Sequence, residues 1–103
     1  MQMHPKKRLE IFIEAPLMRR IADRLDRAGV TGYSVLPVIA GAGRDGGWST
    51  DGQVSDATRQ VAIVCILDAA RLPAVLEAVY EVVSHQIGLI AVSDVEVVRP
   101  ARF

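Results

Sequence analysis

Val61-Ala62-Ile63-Val64-Cys65-Ile66-Leu67 is a run of seven apolar residues, closed by Arg59-Gln60 on one side and Asp68 on the other. It reads as a strand, but without the alternation expected when one face of a sheet meets water. Asp68 stands just before a helix, in which Leu72, Val75, Leu76, Val79 and Val83 recur at helical spacing. Residues 88–98 read as a last strand, interrupted near Ser93-Asp94. In the other direction the hydrophobic signal almost disappears over 40–58, leaving Gly41, Gly43, Gly46, Gly47 and Gly52 among Ser, Thr and Asp. A stretch of that length without periodicity is long for a compact domain, and such loops are usually functional or disordered.

Ahead of the loop, Tyr33-Ser34-Val35-Leu36-Pro37-Val38-Ile39 reads as a second strand. Pro37, which cannot donate to a ladder, places it at an edge or a bulge. Before it comes a helix: Leu17, Met18, Ile21, Ala22, Leu25 and Ala28 form its apolar stripe. Pro16 suits its first turn and Gly29 its end, while Arg19, Arg20, Asp23, Arg24, Asp26 and Arg27 solvate its opposite face. Leu9, Ile11 and Ile13 alternate with Glu10, Phe12 and Glu14 as a first strand. The order is βαββαβ: an α+β chain with the split β-α-β rhythm of a ferredoxin-like antiparallel sheet, read as one domain over 1–103. Two helices cover only one face of such a sheet. Because the third strand does not alternate, the other face needs a cover, and another copy of the chain is the expected one.

Half of the 103 residues are hydrophobic, and 12 basic side chains balance 12 acidic ones. That balance argues against a broad nucleic-acid footprint, which needs a basic excess gathered on one face. It leaves room for a local anion site of two or three cations. Cys65 stands alone in its apolar run and reads as a small core hydrophobe. The basic start, Met1 to Arg8, leads into a stretch broken by Glu10 and Glu14, unlike a signal peptide, and no run approaches a membrane span. A cytoplasmic protein is expected.

Catalytic constellations are poor. His4 and His85 have no metal-ligand spacing to each other or to Cys65, so no metal is expected. Asp45, Asp51 and Asp56 lie in the loop, where aspartates serve turns, and Ser49 and Ser55 have no evident base partner. An enzyme is not expected. Phosphate binding is better supported. Gly41-Ala42-Gly43-Arg44 directly follows a strand, and glycines let backbone N–H groups approach an anion closely. Arg59 returns at the other base of the loop, where two arginines repel unless an anion joins them. Gly88, opening the last strand, is another place for close backbone approach. An alternative reading makes the loop a ligand-independent interaction module anchored by Trp48.

Gly29-Val30-Thr31-Gly32-Tyr33-Ser34-Val35 followed by Gly41-Ala42-Gly43-Arg44 resembles the second-strand and loop-entry segment of PII signal-transduction proteins. The helix order, the long loop and Gln86-Ile87-Gly88 continue the match over nearly the whole chain. The resemblance implies a homotrimer with adenine nucleotides in clefts between subunits. It also implies that the long loop, about 41–58, is a T-loop contacting partners such as transporters. Ser34 would lie near the adenine, and Gly41, Ala42, Gly43 and Arg44 near the phosphates. Arg59 matches a phosphate-binding lysine, and Gly88 and Leu89 begin the region that closes over the phosphates. Arg99 or Arg102 answers to the basic residues near the end of the last strand. Trp48, Ser49 and Thr50 would face the partner.

Departures refine this. Nitrogen-sensing PII proteins carry a Gly-Asp-Gly-Lys run in the closing segment; here Gly88 is followed by Leu89-Ile90-Ala91. Asp45 stands where they have a glutamine that helps organise magnesium, ATP and 2-oxoglutarate, and the loop has no tyrosine for uridylylation. A nitrogen-regulatory sensor of ATP and 2-oxoglutarate is therefore the alternative. The preferred resemblance is to the PII-like branch associated with bicarbonate transport and carboxysomes. It implies ADP or AMP as ligands, bicarbonate as a further one, no prosthetic group, and a transporter or carboxysome-related partner.

Overall fold

The computed structural model describes residues 1–43, 46–49, 59–99, 101 and 103. Its elements run β1 (His4–Glu14), a 3-10 turn (Ala15–Leu17), α1 (Met18–Arg27), β2 (Ser34–Val38), β3 (Ala40–Gly43) and β4 (Gly46–Ser49). They continue with β5 (Gln60–Leu67), a second 3-10 turn (Ala69–Arg71), α2 (Leu72–Val83) and β6 (Leu89–Val97). The main sheet has the order β2-β5-β1-β6, with every neighbouring pair antiparallel. This is the expected ferredoxin-like arrangement. β2 lies at an edge, where the missing N–H of Pro37 is harmless.

The strand pleat sorts side chains into two faces. Val35, Ile63, Ile11 and Ile90 share one row across all four strands, beneath the helices. Of these, Ile63, Ile11 and Ile90 join Leu9, Ile13 and Leu67 in meeting Ile21 and Leu25 of α1 and Val75, Val79 and Val82 of α2 in one core, while Val35 on the edge strand stays partly exposed. Burying a side chain of this size stabilises the fold by roughly 1.5–3 kcal/mol. Cys65 belongs to this core, and burial pushes its thiol up to about 11. Folded chains should thus resist thiol-specific reagents at pH 8 and react once urea opens the core; fast labelling without urea would contradict this. Since the folded state disfavours the thiolate, stability should also fall as pH rises from 9 towards 11.

Helix ends follow local chemistry. Gly29 adopts φ +82°, and the N–H groups of Gly29 and Val30 donate to the carbonyls of Asp26 (3.1 Å) and Leu25 (3.0 Å). This Schellman closure satisfies carbonyls that the last turn of α1 leaves open, and Val30 joins the core beside Leu25. Pro16 occupies the first 3-10 turn and Pro73 the start of α2. Arg24 Nη1 donates to Glu81 Oε2 across the two helices at 2.8 Å, and the same guanidinium lowers the Glu81 carboxyl below its ordinary value.

Two expectations change. β6 is not interrupted at Ser93-Asp94: Ser93 pairs with Arg8 and Asp94 with Lys7, whose side chains form an ion pair that suits a carboxylate to a strand position. The segment after β2 is not wholly irregular either. β3 and β4 pair as a separate ribbon, Ala40 opposite Ser49, Gly41 opposite Trp48, Ala42 opposite Gly47 and Gly43 opposite Gly46. Backbone hydrogen bonding builds this ribbon where the side chains supply no periodic pattern. The rest of the expected loop, 44–45 and 50–58, lies outside the described residues.

Candidate functional site

The open face of the sheet is apolar in its middle. Leu36, Ala62, Phe12 and Leu89 form one row across β2, β5, β1 and β6, on the face away from the helices. Leu36 is 48% and Leu89 58% exposed. The next row is Ser34, Val64, Glu10 and Ala91. These rows fix where the sequence-derived residues stand.

Ser34 opens β2 on one edge of the sheet. It lines a cleft of about 630 Å³ with Thr31, Gly32, Tyr33, Val64, Cys65, Ile66 and Phe103. The cleft exists because β5 runs past Val64 through Leu67, whereas β2 begins only at Ser34. Four residues further along, Val38 pairs with Gln60, so the exit of β2 and the entry of β5 meet at one end of the sheet. That distance is ~13 Å of strand. Here Arg59 sits, its carbonyl accepting the N–H of Ala15 at 2.8 Å. A groove of about 440 Å³ joins it to Ala15, Pro37, Val38 and Ile39. Gly41, Ala42 and Gly43 follow directly in β3. The β2–β5 side of the sheet therefore carries Ser34, the glycine ribbon and Arg59.

Gly88 and Leu89 stand on the other edge. They line a cleft of about 670 Å³ with Leu76, Tyr80, Val83, Ser84 and Gln86. β6 begins at Leu89, opposite Phe12, so the residues after Gly88 are strand and not loop. A Cβ on Gly88 would come within 3.0 Å of Val83 Cγ1 and 3.1 Å of the Phe12 carbonyl, which gives this glycine a packing reason of its own. Ser34 and Leu89 are separated by the width of four strands, ~14 Å across the sheet. One chain does not bring them together.

Arg99 is exposed beyond the end of β6, at the end of the sheet away from Gly88. Arg44, Thr50 and Arg102 lie outside the described residues. Trp48 and Ser49 are in β4, three and four positions past Asp45, within the paired strand. His85 lies beyond α2, which ends at Val83. Among the described residues no group of His, Cys, Asp and Glu could hold a metal ion, and no helix is long and apolar enough to cross a membrane. Phe103 carries no motif that would mark it in the sequence. It stands a few residues past the last strand, and its place beside Ser34 follows from the return of the chain to β5, where its carbonyl accepts the Asp68 N–H at 3.3 Å.

A split β-α-β sheet with an apolar open face and a glycine-rich insertion at one end defines a ferredoxin-like domain built around its loop. The chain belongs to the nitrogen regulatory protein P-II family, whose model matches residues 6–102. Its structure is similar to that of CPII, a nitrogen regulatory PII-like protein from Thiomonas intermedia K12, bound to ADP, AMP and bicarbonate. The two share 27% identity and a TM-score of 0.87, over 99% of this chain and 96% of that one. A second CPII structure, bound to ADP and bicarbonate, gives 29% identity and a TM-score of 0.83, covering 99% and 97%. A proposed PII-like signaling protein from Thermus thermophilus gives 25% identity and a TM-score of 0.78, covering 96% and 95%. No curated protein matches the sequence.

Proposed function

We propose that this chain is a non-enzymatic, cytoplasmic PII-like sensor that binds ADP or AMP, with bicarbonate as a further ligand, in clefts between the subunits of a homotrimer. It would signal through the 41–58 loop to a partner concerned with inorganic carbon, such as a transporter or a carboxysome-related protein. The observation that carries the reading is the likeness over nearly the whole chain to CPII bound to those same ligands. The sheet supports it independently. Ser34, Gly41, Ala42, Gly43 and Arg59 lie on the β2–β5 side and Gly88 and Leu89 at the β6 edge, so two copies laid side by side would complete what one leaves divided. The ~13 Å of strand between Ser34 and Arg59 suits an extended nucleotide, with its base at the cleft and its phosphates at the ribbon. Arg44 and Arg59, joined by Arg99 or Arg102 of a neighbouring copy, would supply the cations. Trp48, Ser49 and Thr50 would meet the partner.

Two or three charge-assisted hydrogen bonds of roughly 1.5–3 kcal/mol each, with base burial added, must offset the cost of association. The net is about −8 kcal/mol, a micromolar Kd. Without a lysine after Gly88 the hold on a third phosphate is weakest, which favours ADP or AMP over ATP. Calorimetry with AMP, ADP and ATP, each with and without bicarbonate, tests this: heat with ADP or AMP is expected, and none with any nucleotide at millimolar concentration would sink the nucleotide reading. Arg44→Ala and Arg59→Ala should each cost roughly 1–3 kcal/mol of binding with the assembly intact. Unchanged affinity in both would show the arginines are misassigned.

A further inference from the structure

We propose that Phe103 is the stacking wall of the Ser34 cleft, and that Lys6, paired with Asp68, is the positioning residue that holds the ring there. This deepens the nucleotide reading above and rests on it. Lys6 is on the open face of β1, where lysine would ordinarily stand in water, yet only 11% of its side chain is exposed. Its ammonium pairs with the Asp68 carboxylate and lies 5.3 Å from the centre of the Phe103 ring. Asp68 takes part twice, since its backbone N–H also donates to the Phe103 carbonyl at 3.3 Å. The ring is thus fixed from two sides, by a cation–π contact and by a backbone hydrogen bond from the residue that pairs with that same cation.

The ring held in this way lines the cleft. Among the described residues, no Asp, Glu, Lys, Arg or His lines it with Phe103. The Cys65 thiol beneath it stays neutral, pushed up to about 11. What remains is the Phe103 ring, Tyr33 and Gly32 at the entry to β2, apolar Val64 and Ile66, and Thr31 and Ser34. This set suits a flat, uncharged, hydrogen-bonding ring and offers nothing to a phosphate. The base therefore belongs at this end and the phosphates at the Arg59 end.

The test is calorimetry with ADP and with AMP on the wild-type assembly and on Phe103→Ala, Phe103→Leu, Lys6→Met and Lys6→Arg. Loss of a stacking ring should weaken both nucleotides by the same factor, roughly 10-fold or more, leaving the ADP-to-AMP affinity ratio unchanged. Phe103→Leu keeps apolar bulk without a flat face and should lose as much as Phe103→Ala. Lys6→Met should weaken binding by about 3- to 10-fold and Lys6→Arg restore it, because the guanidinium keeps both the ion pair and the ring contact. Wild-type affinity in Phe103→Leu or Lys6→Met would overturn the assignment, as would a changed ADP-to-AMP ratio, which would place these residues at the phosphates. A wild-type protein that binds neither nucleotide would bring down the nucleotide reading itself, and this one with it.

Discussion

Leu36→Asp combined with Leu89→Asp is expected to turn the assembled protein into folded single chains that no longer hold ADP. Both leucines lie in the open-face row, about half exposed in the isolated chain. Aspartate there should cost an isolated chain less than about 1 kcal/mol, the usual range for surface substitutions. In an assembly that covers this face the same carboxylates would be buried without partners, at a cost of several kcal/mol each. The substitution therefore separates folding from assembly. Analytical ultracentrifugation should show the wild type at three times the chain mass and the variant at one, with the far-UV dichroism of the two alike. ADP binding should fall by more than ~100-fold, because each cleft of the proposed trimer would take Ser34 and Arg59 from one copy and Gly88 from another. A variant that stays trimeric would place the interface elsewhere. A monomeric variant that binds ADP at full strength would show that one chain holds the whole site.

How much of this was legible from the residues depends on which force shaped each part. The hydrophobic pattern carried the main sheet and helices, since Leu9, Ile11 and Ile13 alternate and the stripes of both helices keep their spacing. The unalternating 61–67 run pointed to a second apolar surface, and the row from Leu36 to Leu89 is where the structure puts it. Pattern failed where backbone pairing and not burial organises the chain. Gly41, Ala42, Gly43, Gly46 and Gly47 give no periodic signal, yet they pair as a ribbon. Asp94 looked like a break because a carboxylate is unfavourable in most strands, and only the register that brings Lys7 opposite explains it. Candidate site residues could be named from residue types, a glycine pair and arginines about a loop. That Gly88 and Leu89 fall on the edge opposite Ser34 could not, because it depends on strand order. Phe103 was invisible for the same reason, being drawn to Ser34 by Asp68 and Lys6.

Gly88 is where packing and ligand roles compete most directly, and Gly88→Val should resolve them. A Cβ alone would meet Val83 Cγ1 at 3.0 Å, the Phe12 carbonyl at 3.1 Å and Ile13 Cγ2 at 3.3 Å, two of them atoms of β1, which cannot yield without moving the centre of the sheet. The two further methyls of valine enter the same space. Overpacking of this kind costs about 3 kcal/mol, equivalent to a melting temperature lower by roughly 10–20 °C for a domain of this size. The comparison must be made at one chain concentration, since assembly adds to apparent stability. Gly88→Ala with Val83→Ala supplies the control. Removing Val83 Cγ1 takes away the nearest contact, so the double variant should be less destabilised than the sum of the two singles, with a coupling of roughly 0.5–3 kcal/mol. If Gly88→Ala melts like the wild type but binds ADP weakly, the glycine is there for the phosphates. If it melts early and its ADP affinity, measured well below the transition, is unchanged, the close approach of α2 and β1 is sufficient reason for a glycine at that position.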